Sequence, residues 1–385
     1  MNEIATDGYK VILEALSKEC RLRSILLAGT DADQCKGKSR LIDLCSNDYL
    51  GLAARESEFR EAFMHSCPDA AFTSSASRLL SSAQRYHLML EKALEHLYGK
   101  RALLFNSGYH ANTGCISALA IPSTLFICDK LVHASIIDGL RIGNADFLRF
   151  PHNDLGKLRI MLEKNAGKYA RIVVVTESIF SMDGDLAPLR GLTMLKEEFP
   201  NMILYVDEAH AFGVRGERGM GMAEELGLTD KIDIIIGTFG KAAASSGAFV
   251  ATTELLADYF INTSRSFIFS TALPPVCCAW TLFMLQNILL MQPERERLLD
   301  TSRRLREALG LPCGEEVVSQ IIPYVTGDAE RAVALAAILR GEGYLVLPIR
   351  RPTVPPGGER LRISLNAGID YNSLTRLIEI IGNEK

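Results

Sequence analysis

The chain has 385 residues, 48% hydrophobic and 23% charged, with a net charge of −4. That length buries a core without disulfide or metal staples, and the small negative charge gives no electrostatic drive toward nucleic acid or an anionic membrane. Nine cysteines include no CxxC pair; several, such as Cys128, lie in apolar runs and read as reduced, packed thiols of a cytoplasmic protein, not bridges or zinc ligands.

The N-terminus lacks a basic segment followed by an apolar one, so no signal peptide is expected. Residues 8–28 alternate apolar and polar at helical spacing, and a strand pair is expected around Leu41–Leu44. From about residue 85 the chain becomes a strand–helix series. Strands are expected at 102–105, 124–129, 145–150, 171–176, 202–206, 233–237 and 247–251, with helices at 85–98, 109–119, 154–166 and 188–199. Such alternation predicts an α/β fold whose mostly parallel seven-stranded sheet is sandwiched by helices. The uncharged run 266–293 is broken by Pro274-Pro275, leaving too few residues to span a bilayer comfortably.

Beyond that break the pattern changes. Helices are expected at 276–291 and 294–309, strands at 319–326, 344–348 and 360–365, and helices at 328–341 and 371–383. These make a small α+β C-terminal domain. The expected division is 1–45 for an N-terminal segment, 46–275 for the large domain and 276–385 for the small one, with linking helices over 276–310.

The chemistry gathers where strands end, because open α/β sheets bind ligands at the carboxyl ends of their strands. Asn106-Ser107-Gly108-Tyr109 joins a strand to a helix whose N-terminus suits a phosphate, although most such turns are only turns. His133 opens another helix, where it could stack on a ring or serve as a structural hydrogen bonder. Ser181 precedes the Asp183-Gly184 turn and could reach the same edge. A carboxylate at a buried strand end, Asp207, needs a partner, and His210 follows it at three residues; taken alone, the pair reads more readily as metal ligands or as a capping acid with a solvated imidazole. Lys241 closes Thr238-Phe239-Gly240-Lys241 after the run Ile234–Ile236. Neither a P-loop nor a dinucleotide fingerprint is present. A lysine, an aspartate and a histidine at one edge fit a pyridoxal phosphate site: a Schiff base on the amine, and an acid against the pyridine nitrogen.

Taken in order, Ser46-Asn47-Asp48-Tyr49-Leu50-Gly51-Leu52, Ser77-Arg78-Leu79, Asn106-Ser107-Gly108-Tyr109, His133-Ala134-Ser135, Phe180-Ser181-Met182-Asp183-Gly184-Asp185, Asp207-Glu208-Ala209-His210, Thr238-Phe239-Gly240-Lys241 and Phe269-Ser270-Thr271 resemble the α-oxoamine synthases. These are fold-type I enzymes that use pyridoxal 5'-phosphate. Ile349-Arg350-Arg351-Pro352-Thr353-Val354-Pro355, followed by Arg360-Leu361-Arg362, is similar to the members that condense glycine with a pimeloyl thioester. Arg351 is a departure from the proline usual there. The resemblance implies that Lys241 carries the Schiff base, Asp207 pairs with the ring nitrogen, His210 with the ring oxygen, and His133 stacks. It implies that Gly108, Tyr109, Ser181 and Thr238 hold the cofactor, with Thr271 reaching a phosphate across a homodimer interface. It also implies that Arg350 and Asn47 bind glycine, while Thr353 and an N-terminal arginine, Arg21 or Arg23, meet the acyl group on coenzyme A or an acyl carrier protein. A member using an acetyl thioester, and a non-catalytic subunit that keeps the fold, are the alternatives; the second would be expected to lose Lys241. Two glycine-rich family segments are altered, to Thr73-Ser74-Ser75-Ala76 and Ala242-Ala243-Ala244, and His110 replaces a small residue.

Overall fold

The computed structural model describes residues 3–19, 21–22, 41–80 and 84–383. Helix α1 (Glu3–Lys18) begins earlier than its periodicity suggests and ends ten residues sooner. The amides of Arg21 and Leu22 turn back onto the Leu16 carbonyl and close it. Residues 23–28 of the expected helix, Arg23 among them, lie outside the described residues.

β1 (Ile42–Asp43) is followed by α2 (Glu56–Ser66) and α3 (Arg85–Tyr98). The sequence reading assigned no element to α2. Gly99, at φ +65°, ends α3 and returns its amide to the Glu95 carbonyl, as left-handed helix caps do. Seven strands then build the main sheet: β2 (Arg101–Phe105), β3 (Thr124–Asp129), β4 (Asp146–Phe150), β5 (Arg171–Glu177), β6 (Met202–Asp207), β7 (Ile234–Thr238) and β8 (Ala248–Thr252). Each lies within a residue or two of its expected position. Their spatial order is β2-β8-β7-β6-β5-β3-β4. All run parallel except β8, which is antiparallel to both neighbours.

Val173, Val174 and Val175 are fully buried, so successive residues of β5 pack on opposite faces. That is why the strands read as continuous apolar runs with no alternation. One face carries helices α4 (Gly108–Leu119) and α5 (Ala134–Ile142), packed over Val173, Val175, Tyr205, Ile234 and Ile236. The other face joins a larger core that continues into the C-terminal strands through Leu204, Phe249, Ile321 and Leu361.

After the helices Pro275–Ile288 and Gln292–Ala308 come β9 (Ile321–Val325), β10 (Tyr344–Leu345), β11 (Leu347–Ile349) and β12 (Arg360–Ser364). β11, β12 and β9 form an antiparallel sheet in that order. β1 pairs in parallel with β10, so the N-terminal segment is knitted into the C-terminal unit. Among the described residues no single helix is long and apolar enough to cross a membrane, and the two helices after Pro274 meet at a 76° bend.

Candidate active site

β5, β6 and β7 end together, and their last residues present Glu177, Asp207 and Thr238 to the α4–α5 face. Two residues earlier on each strand, Val175, Tyr205 and Ile236 lie in the core beneath those helices. The two-residue period therefore carries the same face out to the edge. It also separates Asp207 from Glu208. Glu208 points the other way and accepts from the Met222 and Ala223 amides and the Ser178 hydroxyl.

Asp207 is held by two donors: Asn112 Nδ2 at 2.8 Å from Oδ2 and the Ala209 amide at 2.9 Å from Oδ1. Asn112 is itself fixed, since its Oδ1 accepts from the Tyr205 hydroxyl at 2.8 Å and its Nδ2 also donates to Ser135 Oγ. Beside Asp207, β7 turns straight back into β8, and Lys241 sits in the connecting loop. The loop is pinned by Phe239 N to Gly247 O, Ser245 N to Phe239 O and Ala244 N to Lys241 O. Loss of water pulls the Lys241 amine down to about 8; Asp207 and Glu177 oppose that shift, and Arg362 adds to it.

A hydrogen-bonded row runs inward from Lys241. Its Nζ lies 2.8 Å from His210 Nε2; His210 Nδ1 lies 2.6 Å from the Tyr49 hydroxyl; that hydroxyl donates to Asn47 Oδ1 at 2.9 Å. One set of protons satisfies the row: the amine donates to Nε2, and Nδ1–H donates to Tyr49. Burial first, and then the Lys241 and Arg362 cations, hold His210 well below its ordinary range, so it is neutral. Gln320 fixes its backbone by donating to the His210 carbonyl at 2.7 Å.

Arg362, on β12, completes the cluster. Its guanidinium donates to Asn47 Oδ1 at 3.1 and 3.2 Å and to the Ser181 carbonyl at 2.6 Å. It is buried, and among the described residues no carboxylate lies within ion-pair distance of it. A buried cation without an anion is costly and poised for one. Arg350 lies elsewhere, in a cavity of about 630 Å³ lined by Arg21, Arg340, Arg351, Thr353 and apolar residues including Ala336 and Leu347. Lys241, Asp207, His133 and His210 do not line that cavity.

The remaining predicted residues surround the edge. Ser107 caps α4 by accepting from the His110 amide, leaving the first-turn amides of Gly108 and Tyr109 without intrahelical partners. A side chain at Gly108 would approach Thr238, 3.8 Å away. Thr238 Oγ1 donates to the Gly247 carbonyl and accepts from the Gly240 amide. His133 caps α5, with Nδ1 2.7 Å from Ser135 Oγ, and its ring is exposed at the cleft. The Tyr109 hydroxyl donates to Asp138 at 2.6 Å. Thr271 is exposed and bridges to Ser77, and its carbonyl accepts from Asn106.

These residues fit pyridoxal phosphate. They combine a lysine held near neutrality, a doubly supported carboxylate beside it, an exposed imidazole, and a capped helix N-terminus with a hydroxyl nearby. Sequence reasoning missed Asn112, Tyr49 and Arg362 as site residues. Each lay inside a segment singled out for other reasons, and only packing selects them.

A family model described as aminotransferase class I and II matches residues 39–381. The chain is 47% identical over 350 residues to the 8-amino-7-oxononanoate synthase of Chlorobaculum parvum, which covers 89% of this chain and 88% of that one. Among solved structures, the serine palmitoyltransferase of Sphingomonas wittichii superimposes with a TM-score of 0.86 at 29% identity, covering 98% of this chain and 96% of that one. The 8-amino-7-oxononanoate synthase of Francisella tularensis gives a TM-score of 0.77 at 28% identity, covering 90% and 98%.

Proposed function

The chain belongs to the aminotransferase class I and II family, and from that footing we propose that it condenses glycine with a pimeloyl thioester, giving 8-amino-7-oxononanoate, carbon dioxide and free thiol for biotin synthesis. Pyridoxal 5'-phosphate supplies the electron sink that makes the glycine α-proton removable and the later loss of carbon dioxide easy.

The protein's part follows from the cluster. Lys241, with its amine near neutrality, takes the α-proton and later returns one. Asp207, held in place by Asn112 and the Ala209 amide, pairs with the ring nitrogen, and His210 with the ring oxygen. His133 covers one ring face. Gly108, Tyr109, Ser181 and Thr238 hold the cofactor at its edge, and Thr271 reaches it from a partner subunit. Arg362, supported by Asn47, clamps the glycine carboxylate. This differs from the expectation for Arg350. The cavity that holds Arg350, Arg21 and Thr353 suits an acyl chain ending in a carboxylate, having apolar walls and several cations.

One observation carries this reading: at the main sheet's carboxyl edge Lys241 has both Asp207 and, from β12, Arg362 as neighbours, an amine, an acid and an anion-seeking cation. A homodimer fits the rest, because α1 leaves Tyr9, Val11, Ile12 and Leu13 exposed along its length. Replacing Lys241 with alanine should abolish turnover and the protein-bound visible absorbance. In the intact enzyme, glycine offered with a thioester panel should yield product with pimeloyl-CoA or pimeloyl-acyl carrier protein and far less with acetyl-CoA. Preference for acetyl-CoA would overturn the acyl assignment.

A further inference from the structure

Glu177 ends β5 directly beside Asp207 on β6, the two residues being partners in the parallel register. Both side chains therefore leave the sheet on the same face, toward Lys241. Glu177 is 2% exposed. Its carboxyl faces the backbone amides of His133 and Ser181, yet Oε1 has no hydrogen-bond partner among the described residues. Asp207 has a donor on each oxygen.

Two neighbouring buried carboxylates cannot both be ionised cheaply, and the one with both oxygens supported keeps the charge. Asp207 has a donor on each oxygen, whereas Glu177 leaves Oε1 unsupported. We infer that Glu177 is a positioning residue that works as the neutral carboxylic acid, so that one negative charge, on Asp207, faces the cofactor's ring nitrogen while the Glu177 carboxyl ties together the loops of His133 and Ser181.

The surrounding groups agree. Burial first, and Asp207 next, drive Glu177 toward its protonated form; Lys241 and the His133 and Ser181 amides oppose them without reversing the direction. His133 faces the same space, beside Asp207 and Lys241, and His210 and Arg362 are the further neighbours of Lys241. An ionised Glu177 would also raise the Lys241 amine away from neutrality. The neutral acid thus serves both partners. It avoids a second charge at the ring nitrogen, and it leaves the lysine free to take a proton.

The inference rests on the proposed cofactor reading for its purpose, but its first test does not. Infrared difference spectra between the wild-type protein and Glu177→Gln, without substrate, should show the carbonyl stretch of an un-ionised carboxylic acid at pH 8, lost in the variant. A carboxylate band in its place overturns the proposal whatever the enzyme condenses. If Glu177→Gln does not fold, wild-type protein labelled with carbon-13 at the glutamate carboxyl gives the same answer at pH 8.5, where a resonance at the acid position is expected. In activity, Glu177→Gln should keep kcat and cofactor affinity within about threefold of wild type, with an unchanged pH dependence of the visible absorbance. Glu177→Ala, which removes the tie between the two loops, should lose roughly 10–100-fold in kcat. A Gln variant as damaged as Asp207→Asn would show that the charge is required, and would refute the neutral acid.

Discussion

Asp207 and Glu208 are adjacent acids, and only the two-residue period of β6 decides that the first faces the cleft and the second accepts from the buried first amides of the short helix Met222–Glu225. The same local geometry explains Lys241. With its amine pulled down to about 8 from an ordinary 10.5, the neutral form needed to capture an aldehyde grows as pH rises, reaching half at about pH 8 and nearly all about a unit above it. Reconstitution of the cofactor-free protein with pyridoxal phosphate should therefore speed up by about tenfold per unit between about pH 6 and 7 and level off near about pH 9; stopped-flow absorbance measures this. The two arginines divide by placement. Replacing Arg362 with lysine loses the planar fork and should raise the KM for glycine by roughly 10–100-fold, whereas Arg350→Lys should act chiefly on the KM of the thioester. Steady-state kinetics with each substrate varied in turn separates them.

At the scale of elements, the antiparallel β8 allows the Lys241 loop to be a hairpin, so the lysine returns over the strand it left. The altered glycine segments keep the backbone that glycine would favour: Ser75 and Ala244 take φ of +51° and +45°. A residue with a Cβ pays about 1–2 kcal/mol for that conformation. Packing outweighs that cost at Ala244, whose carbonyl accepts from Trp280 Nε1 at 3.0 Å. The loop bearing Ser181 is held from two sides. Gly184, at φ +69°, lies so close to β9 that a Cβ would meet the Ile321 carbonyl at 2.2 Å. On the other side His152 bridges Asp129 at 2.9 Å and Asp185 at 2.6 Å. Burial alone would lower the His152 imidazole, but the two carboxylates outweigh it and push it up to about 10. A raised folded-state value stabilises the protein fully below pH 6.5, and that contribution is lost as pH climbs through about 10. The thermal midpoint of the wild type should accordingly fall by about 2–3 °C more than that of His152→Gln over this window, by calorimetry.

For the whole molecule, the exposed apolar residues ask for cover. Phe72 and Leu80 are each more than 80% exposed, and Phe269, two residues before Thr271, is 69% exposed. In a homodimer with shared sites these would be buried, and Thr271 would serve the neighbouring cofactor. Phe72→Arg is expected to shift the protein toward monomer in sedimentation experiments and to lower activity in step, with activity recovering at high protein concentration.

The periodicity of apolar runs was enough to locate all seven sheet strands and most helices, because a strand covered on both faces must be apolar throughout and the loops between must be polar or turn-forming. The motifs at strand ends were legible for the same reason: Asp207, Lys241 and Ser181 stand where a buried strand reaches water. Strand order, the reversal of β8, the pairing of β1 with β10, and the burial of Arg362 beside Asn47 while Arg350 lines a separate cavity were decided only by tertiary structure. They depend on contacts between residues hundreds of positions apart, such as Arg362 with Asn47, and no local pattern records which of two exposed-looking arginines the fold will bury.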